Sequence, residues 1–138
     1  MLFRSGLLVA GNVVNNSGAA EITNSNGLLS VANGGKVYNK GTGLTITNTT
    51  GSGLTIAGIV ENAAGQAVID NQNGQLLVDA TGNVVGNGTS SKITIKNSGT
   101  GLKIAQGGAV NNINELEITN TGVDGINIAG SEIGRAHV

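Results

Sequence analysis

The sequence predicts an all-β protein, a parallel β-solenoid with three strands in each coil. Apolar residues alternate with polar ones along short segments, the pattern returns every 22–26 residues, and Gly, Asn, Ser and Thr separate the segments. Alternation with a period of two places successive side chains on opposite faces of a strand. The separating residues favour turns. Three strands and three turns within so short a repeat describe one coil of a solenoid.

Each repeat begins with a pair of aliphatic residues separated by one residue, such as Leu29 and Val31. These pairs start at Leu7, Leu29, Leu54, Leu76, Leu102 and Ile126, at intervals of 22, 25, 22, 26 and 24 residues. We expect about five to six coils over residues 6–131. We also expect a right-handed path, because crossovers between parallel strands are right-handed in nearly all proteins and the corners vary in length.

Each coil has three apolar stations, one for each predicted strand, and the first station is the pair that opens the coil. The second station is a single valine, found at Val13, Val37, Val60, Val84 and Val110. The third is a second pair, found at Ala20/Ile22, Leu44/Ile46, Ala67/Ile69, Ile93/Ile95 and Leu116/Ile118. Equivalent residues of successive coils should stack about 4.8 Å apart. The expected core therefore includes Leu54, Ile56, Val60, Ile69, Leu76, Val78, Ile95, Leu102, Ile104 and Ile118.

Asparagines recur in register with these stations. One follows the third station by two residues in five coils, at Asn24, Asn48, Asn71, Asn97 and Asn120. Another follows the second station at Asn15, Asn39, Asn62 and Asn112, and Gly86 interrupts this column. Stacked Asn side chains can pass amide hydrogen bonds from coil to coil, and Asn tolerates left-handed backbone geometry. We expect the Asn columns to bond the coils and also to turn the chain.

Composition narrows the function classes. The chain has no Cys, Pro or Trp, one Phe, one Tyr and 24 Gly, so small aliphatic side chains must fill the core. A net charge of −1 disfavours nucleic acid as a partner, since nucleic-acid binding needs a basic face. No apolar run approaches the roughly 18 residues of a membrane span. We therefore expect neither a nucleic-acid partner nor a membrane span.

The sequence predicts no catalytic, cofactor-binding or metal-ligating residue, and hence no enzyme. Its Gly-x-Gly stretches lead into predicted strands, whereas a phosphate loop needs a helix after the glycines. Three outward carboxylates, Glu21, Asp70 and Glu117, fall in different coils, and the only His is His137. A carbohydrate-active or carbohydrate-binding β-helix is the alternative. It would align three or more charged or aromatic residues on one outer face within about 10 Å, two coil spacings, and the sequence offers little of this.

Two stretches carry a resemblance to a known family: SGTGLKIAQGGAVNNINELEITNTG (98–122) and GSGLTIAGIVENAAGQAVIDNQNG (51–74). They resemble the repeats of filamentous haemagglutinin-type exoproteins of two-partner secretion, and most closely the leukotoxin-like filamentous adhesins. The resemblance covers about residues 6–131. It implies a β-helical stalk, secreted or held at the bacterial cell surface, that is exported through an outer-membrane partner and serves virulence by attachment to a host surface.

The two ends depart from the repeat. Residues 2–5 are what CTCTTCCGATCT encodes, and residues 132–138 are what GAGATCGGAAGAGCACACGTC encodes. These strings look like a sequencing adapter and its reverse complement. We therefore expect residues 1–5 and 132–138 to be adapter-derived, and the chain to be an internal, metagenomic fragment of a longer protein. Besides the outer-membrane partner and the host surface that the resemblance implies, the expected partners are neighbouring coils of the same longer chain and, through open strand edges, further copies end to end.

Overall fold

The computed structural model describes residues 6–137 and confirms the predicted architecture. These residues form an all-β parallel solenoid of about five turns, with three strands per coil and no helix among them. No helix that could cross a membrane occurs in this described part of the chain. Residues 1–5 and Val138, to which an adapter origin is assigned above, lie outside the described residues.

Strands that carry the first station form one six-stranded sheet, the first face. In spatial order they are β1 (Leu7–Val9), β4 (Leu28–Val31), β7 (Gly53–Ile56), β10 (Gln75–Val78), β13 (Gly101–Ile104) and β15 (Ile126–Ile128). All neighbours pair in parallel, with Leu7 opposite Leu29, Leu54 opposite Leu76, and Leu102 opposite Ile126. The register is therefore the one set by the sequence repeat.

The second and third faces carry the other two stations. The second face contains β2 (Asn12–Asn15), β5 (Lys36–Asn39), β8 (Ile59–Asn62), β11 (Asn83–Gly86) and the first half of β14 (Ala109–Asn120). The third face contains β3 (Ala19–Asn24), β6 (Gly43–Asn48), β9 (Gln66–Asn71), β12 (Lys92–Asn97) and the second half of β14. Both faces keep the predicted parallel register throughout.

One coil departs from three separate strands. In β14 the second and third stations lie on one continuous strand, which links the two faces into a ten-stranded sheet. The reason is β16 (Ser131–His137), which pairs in parallel with both halves and shifts register between Asn112 and Leu116, where the corner lies. β16 also sets Glu132 opposite Val110, so the valine column ends at Val110. The origin of this segment stays a prediction.

The aliphatic columns form the core. All ten core residues named from the sequence are buried, and they belong to one continuous cluster. Inward residues are much less covered in the terminal coils, where one neighbouring coil is missing: Val13 and Ile128 are each 41% exposed. Burial of a column residue therefore depends on having a coil on both sides, as expected for a solenoid.

Glycines turn the corners, and the asparagines do not. No non-glycine residue among those described has a positive φ, whereas Gly18, Gly27, Gly65 and Gly74 have φ between 61° and 72°. The expectation that Asn turns the chain through left-handed geometry is therefore wrong. An L side chain meets steric conflict in this conformation and glycine does not, and each Asn of the two columns lies instead in or at the end of an extended strand.

Candidate functional site

The third-station asparagines form a continuous ladder of side-chain hydrogen bonds along the solenoid. In each step Nδ2 of one Asn donates to Oδ1 of the Asn one coil further along the chain. The distances are 3.0 Å from Asn24 to Asn48, 2.9 Å to Asn71, 2.8 Å to Asn97 and 2.7 Å to Asn120. All steps run in the same direction, so this Asn ladder has a polarity: donors point towards the C-terminal coils.

The same amides also hold the corners. Nδ2 of Asn24, Asn48 and Asn71 each donates to the carbonyl oxygen of the residue three positions later, at 3.1, 3.3 and 3.0 Å. Asn48 further donates to the Asn73 carbonyl of the next coil at 2.9 Å. These bonds add to the backbone bonds of the corners, since the Gly27 and Gly74 carbonyls also accept from the N–H groups of Ser52 and Thr100. The role of Asn is to bond the corner that glycine turns.

A second ladder follows the second station. Nδ2 of Asn15 donates to Oδ1 of Asn39 at 2.8 Å, and Nδ2 of Asn39 donates to Oδ1 of Asn62 at 2.7 Å. The ladder then meets Gly86, where a Cβ would come within 2.4 Å of Oδ1 of Asn112. The fourth coil therefore has no room for a side chain at this position.

Ser91 takes the place of the missing Asn on the side that faces Asn112, and the sequence reasoning missed it. On the other side Nδ2 of Asn62 donates to the Lys92 carbonyl oxygen at 3.0 Å. Its side chain is fully buried, and Oγ donates to Oδ1 of Asn112 at 3.1 Å and lies 2.9 Å from the Gly88 carbonyl oxygen. Nδ2 of Asn112 in turn donates to the Ser91 carbonyl at 3.2 Å. The signal was present, since the Gly86 break falls in the coil whose second corner is two residues longer.

The outer second face holds a charged and aromatic cluster that the sequence reasoning also missed. Nζ of Lys36 lies 3.1 Å from Oε1 of Glu61 and 4.5 Å from the ring centroid of Tyr38. Nζ of Lys40 lies 5.3 Å from the same ring. Tyr38 and Glu61 are register partners in adjacent coils. The expectation that the sequence offers little alignment of charged and aromatic residues on one outer face is therefore wrong. In KVYN and the Lys that follows it, the outward Lys36, Tyr38 and Lys40 alternate with the inward Val37 and Asn39.

Beside this cluster, a shallow cavity of about 380 Å³, open to solvent, lies at the corners between the second and third faces of the first three coils. Lys40 belongs to both features, since it lines the cavity and lies over Tyr38. The other lining residues are small or polar and include Asn16, Ser17 and Thr42. The cavity and the cluster together form one surface, which we call the Lys40 surface.

The outward carboxylates of the third face are not brought together. Glu21 and Glu117 share one register column, four coil spacings apart, which is about 19 Å. Asp70 lies in the neighbouring column, opposite Lys96 of the next coil. Among the described residues there is no group of three or more His, Cys, Asp or Glu that could hold a metal ion.

Comparisons with known proteins find no relative. No protein-family model matches the chain, and neither the curated proteins nor the solved structures contain a significant match. The fold is defined by the register of its three parallel faces and by the two Asn ladders.

Proposed function

We propose that this chain is a stalk segment of a secreted or surface-attached bacterial filamentous adhesin, which holds binding domains away from the cell. The observation that carries the proposal is the unbroken Asn ladder from Asn24 to Asn120, beside aliphatic columns buried to 3% exposure or less over most of their length. Repetitive polar and apolar stacking of this kind gives a solenoid that lengthens by one spacing with each added coil.

Rigidity follows from where the contacts lie. Successive ladder bonds join residues 23 to 26 positions apart, so each coil is fastened to the next by side chains as well as by sheet hydrogen bonds. Bending the rod would open this column on one side and expose its amides. A mechanical spacer needs that resistance, and the resemblance of 51–74 and 98–122 to filamentous adhesin repeats supports the same role.

A reach experiment tests the stalk. A known antigen-binding domain is displayed on a bacterial outer membrane through residues 6–131, through two in-register copies, or through a Gly/Ser linker of equal residue number. We expect the distance between fluorescent labels at the two ends of the insert, measured by energy transfer, to double with the second copy and to have a narrow distribution. The ends of the Gly/Ser linker should be broadly distributed and separate only as the square root of its residue number. A broad distribution for the solenoid, or an end-to-end distance that does not double with the second copy, would contradict the proposal.

A carbohydrate-active or carbohydrate-binding β-helix protein is a second candidate, and one observation favours it. The Lys36, Tyr38, Lys40 and Glu61 cluster places three charges and an aromatic ring on one outer face within adjacent coils. Tyr38, Lys36 and Glu61 are half-buried and Lys40 is exposed, and an aromatic side chain with a few placed charged groups beside a concave surface is typical of ligand sites. An array of plant, bacterial and host glycans probed with the whole chain tests this candidate, and no bound glycan would argue against it.

A further inference from the structure

The Lys40 surface has the dimensions of a ligand site. Its cavity of about 380 Å³ lies within the range of small-molecule pockets, roughly 300–1,000 Å³. It forms where stacked corners carry glycine in place of a larger residue, at Gly18 and Gly41 among others. At Gly41 a Cβ would meet the Gly18 carbonyl oxygen, so the close stacking of these corners requires glycine. The cavity is therefore a consequence of the backbone path.

Charge within this surface is unevenly matched. Lys36 has its partner in Glu61 at 3.1 Å, and Glu61 also accepts a hydrogen bond from Nδ2 of Asn87 at 3.0 Å. Lys40 lines the cavity and has no carboxylate within ion-pair distance among the residues that the structure describes. With two ammonium groups and one carboxylate around Tyr38, the surface has an excess of one positive charge, at the edge of the cavity.

We propose that this cavity binds one unit of a carboxylated sugar, such as a uronic acid, with the carboxylate on Nζ of Lys40. The proposal rests on the second candidate function, carbohydrate binding, and not on the stalk role. Lysine offers a mobile cation with three N–H donors, and the cavity extends from it along the corner.

Three side chains of the cavity could recognise the hydroxyl groups of a sugar ring. Asn16, Ser17 and Thr42 are exposed and line the cavity, and no side-chain hydrogen bond of theirs occurs within the described residues. An amide and two hydroxyls supply both donors and acceptors. A volume of about 380 Å³ is large enough to accommodate a sugar ring. The site would therefore combine one charge with several neutral hydrogen bonds.

The test is calorimetric titration of the whole chain with a trimer of galacturonic acid, in parallel with its methyl ester, which has the same ring without the charge. We expect the acid to bind and the ester to bind at least about tenfold more weakly, since a hydrogen bond to a charged group contributes more than a neutral one. Lys40→Gln should weaken binding of the acid by a similar factor. Lys103→Gln on β13, also exposed, is the matched control and should leave binding unchanged.

Each other outcome overturns the proposal. Equal affinities for the acid and the ester would show that the carboxylate is not recognised. An equal loss of affinity in Lys40→Gln and Lys103→Gln would indicate non-specific charge attraction. A Lys40-dependent signal with sodium sulfate alone would make this a site for simple anions. No binding of the acid at millimolar concentration would refute the site, while glycan-array binding of neutral sugars would keep the second candidate function. Unchanged thermal melting of Lys40→Gln excludes unfolding as the cause of a loss.

Discussion

Nδ2 of Asn48 donates to Oδ1 of Asn71 at 2.9 Å, and the two residues lie 23 positions apart in adjacent coils. Asn48 is fully buried, and its own Oδ1 accepts from Asn24 at 3.0 Å. One side chain therefore connects three coils and also bonds its own corner. This arrangement makes Asn48 the most heavily bonded position of its ladder, with four side-chain hydrogen bonds.

Asn48→Ala should destabilise the fold by about 2–6 kcal/mol, because Oδ1 of Asn71 loses its donor and one N–H of Asn24 loses its acceptor within the buried ladder, at about 1–3 kcal/mol each. Urea unfolding followed by circular dichroism measures the change. Asn127→Ala on β15 is the matched control, since this side chain is exposed, and should change stability by less than about 0.5 kcal/mol. Similar midpoints for the two variants would show that the ladder does not stabilise the solenoid.

The core columns give a second prediction. Ile69, in the third-face column, is 1% exposed, whereas Ile128, an inward residue of the first face in a terminal coil, is 41% exposed. Ile69→Ala should cost about 2–5 kcal/mol, as for other buried isoleucines, because it removes packed atoms and leaves a cavity. Ile128→Ala deletes the same atoms and should cost clearly less. Equal losses in a urea titration would contradict the observed gradient of burial from the middle coils to the end.

Most of the fold could be predicted because residues one repeat apart in the sequence of a solenoid are neighbours in adjacent coils. Leu54 and Leu76 are separated by one coil in the chain and pair directly in space, so counting residues is enough to find partners. The same reasoning located the Asn ladder, since Asn48 and Asn71 occupy equal positions in successive coils. Handedness has no such signature in the period and stays a prediction.

The features that were missed are those that break the period or lie outside it. Ser91 replaces an Asn only because its corner is longer, and column counting skips an inserted residue. The cluster around Tyr38 involves outward positions, where no core constraint repeats the residue type from coil to coil. The error over Asn backbone geometry has a different cause: an isolated Asn tolerates left-handed φ, but here the ladder needs its amide beside extended strands.

Ser91 provides the third prediction. Its Oγ bonds Asn112 and contacts the Gly88 carbonyl in a fully buried position, whereas the adjacent Ser90 is exposed. Ser91→Ala should cost about 1 kcal/mol, the net contribution of one hydrogen bond, because Oδ1 of Asn112 loses the Ser91 hydroxyl but keeps the Asn114 N–H as a donor. Ser90→Ala should be within about 0.5 kcal/mol of the parent. Thermal melting of the two variants measures the difference in stability. An unchanged melting temperature for Ser91→Ala would mean that the Ser91 hydroxyl does not stabilise the coil in which Gly86 interrupts the ladder.

The corner glycines give the last prediction, through two positions with nearly the same backbone conformation. Gly18 has φ of 67° and Gly65 has φ of 61°, so replacement by Ala meets the same intrinsic strain of about 1–2 kcal/mol at both. The surroundings differ, because a Cβ at Gly65 would lie 2.1 Å from the Thr42 carbonyl oxygen, whereas a Cβ at Gly18 has no neighbour within 4 Å.

Gly65→Ala should therefore destabilise by about 2–5 kcal/mol in total, since forced displacement of packed backbone adds about 1–3 kcal/mol to the strain. Gly18→Ala should lose only the free energy of the backbone strain. The difference in urea midpoint between the two variants therefore measures the cost of separating two coils at this corner. If both variants lost the same stability, the coils would be able to move apart freely at the corner, and the close stacking that confines Gly65 would contribute nothing to the stiffness of the rod.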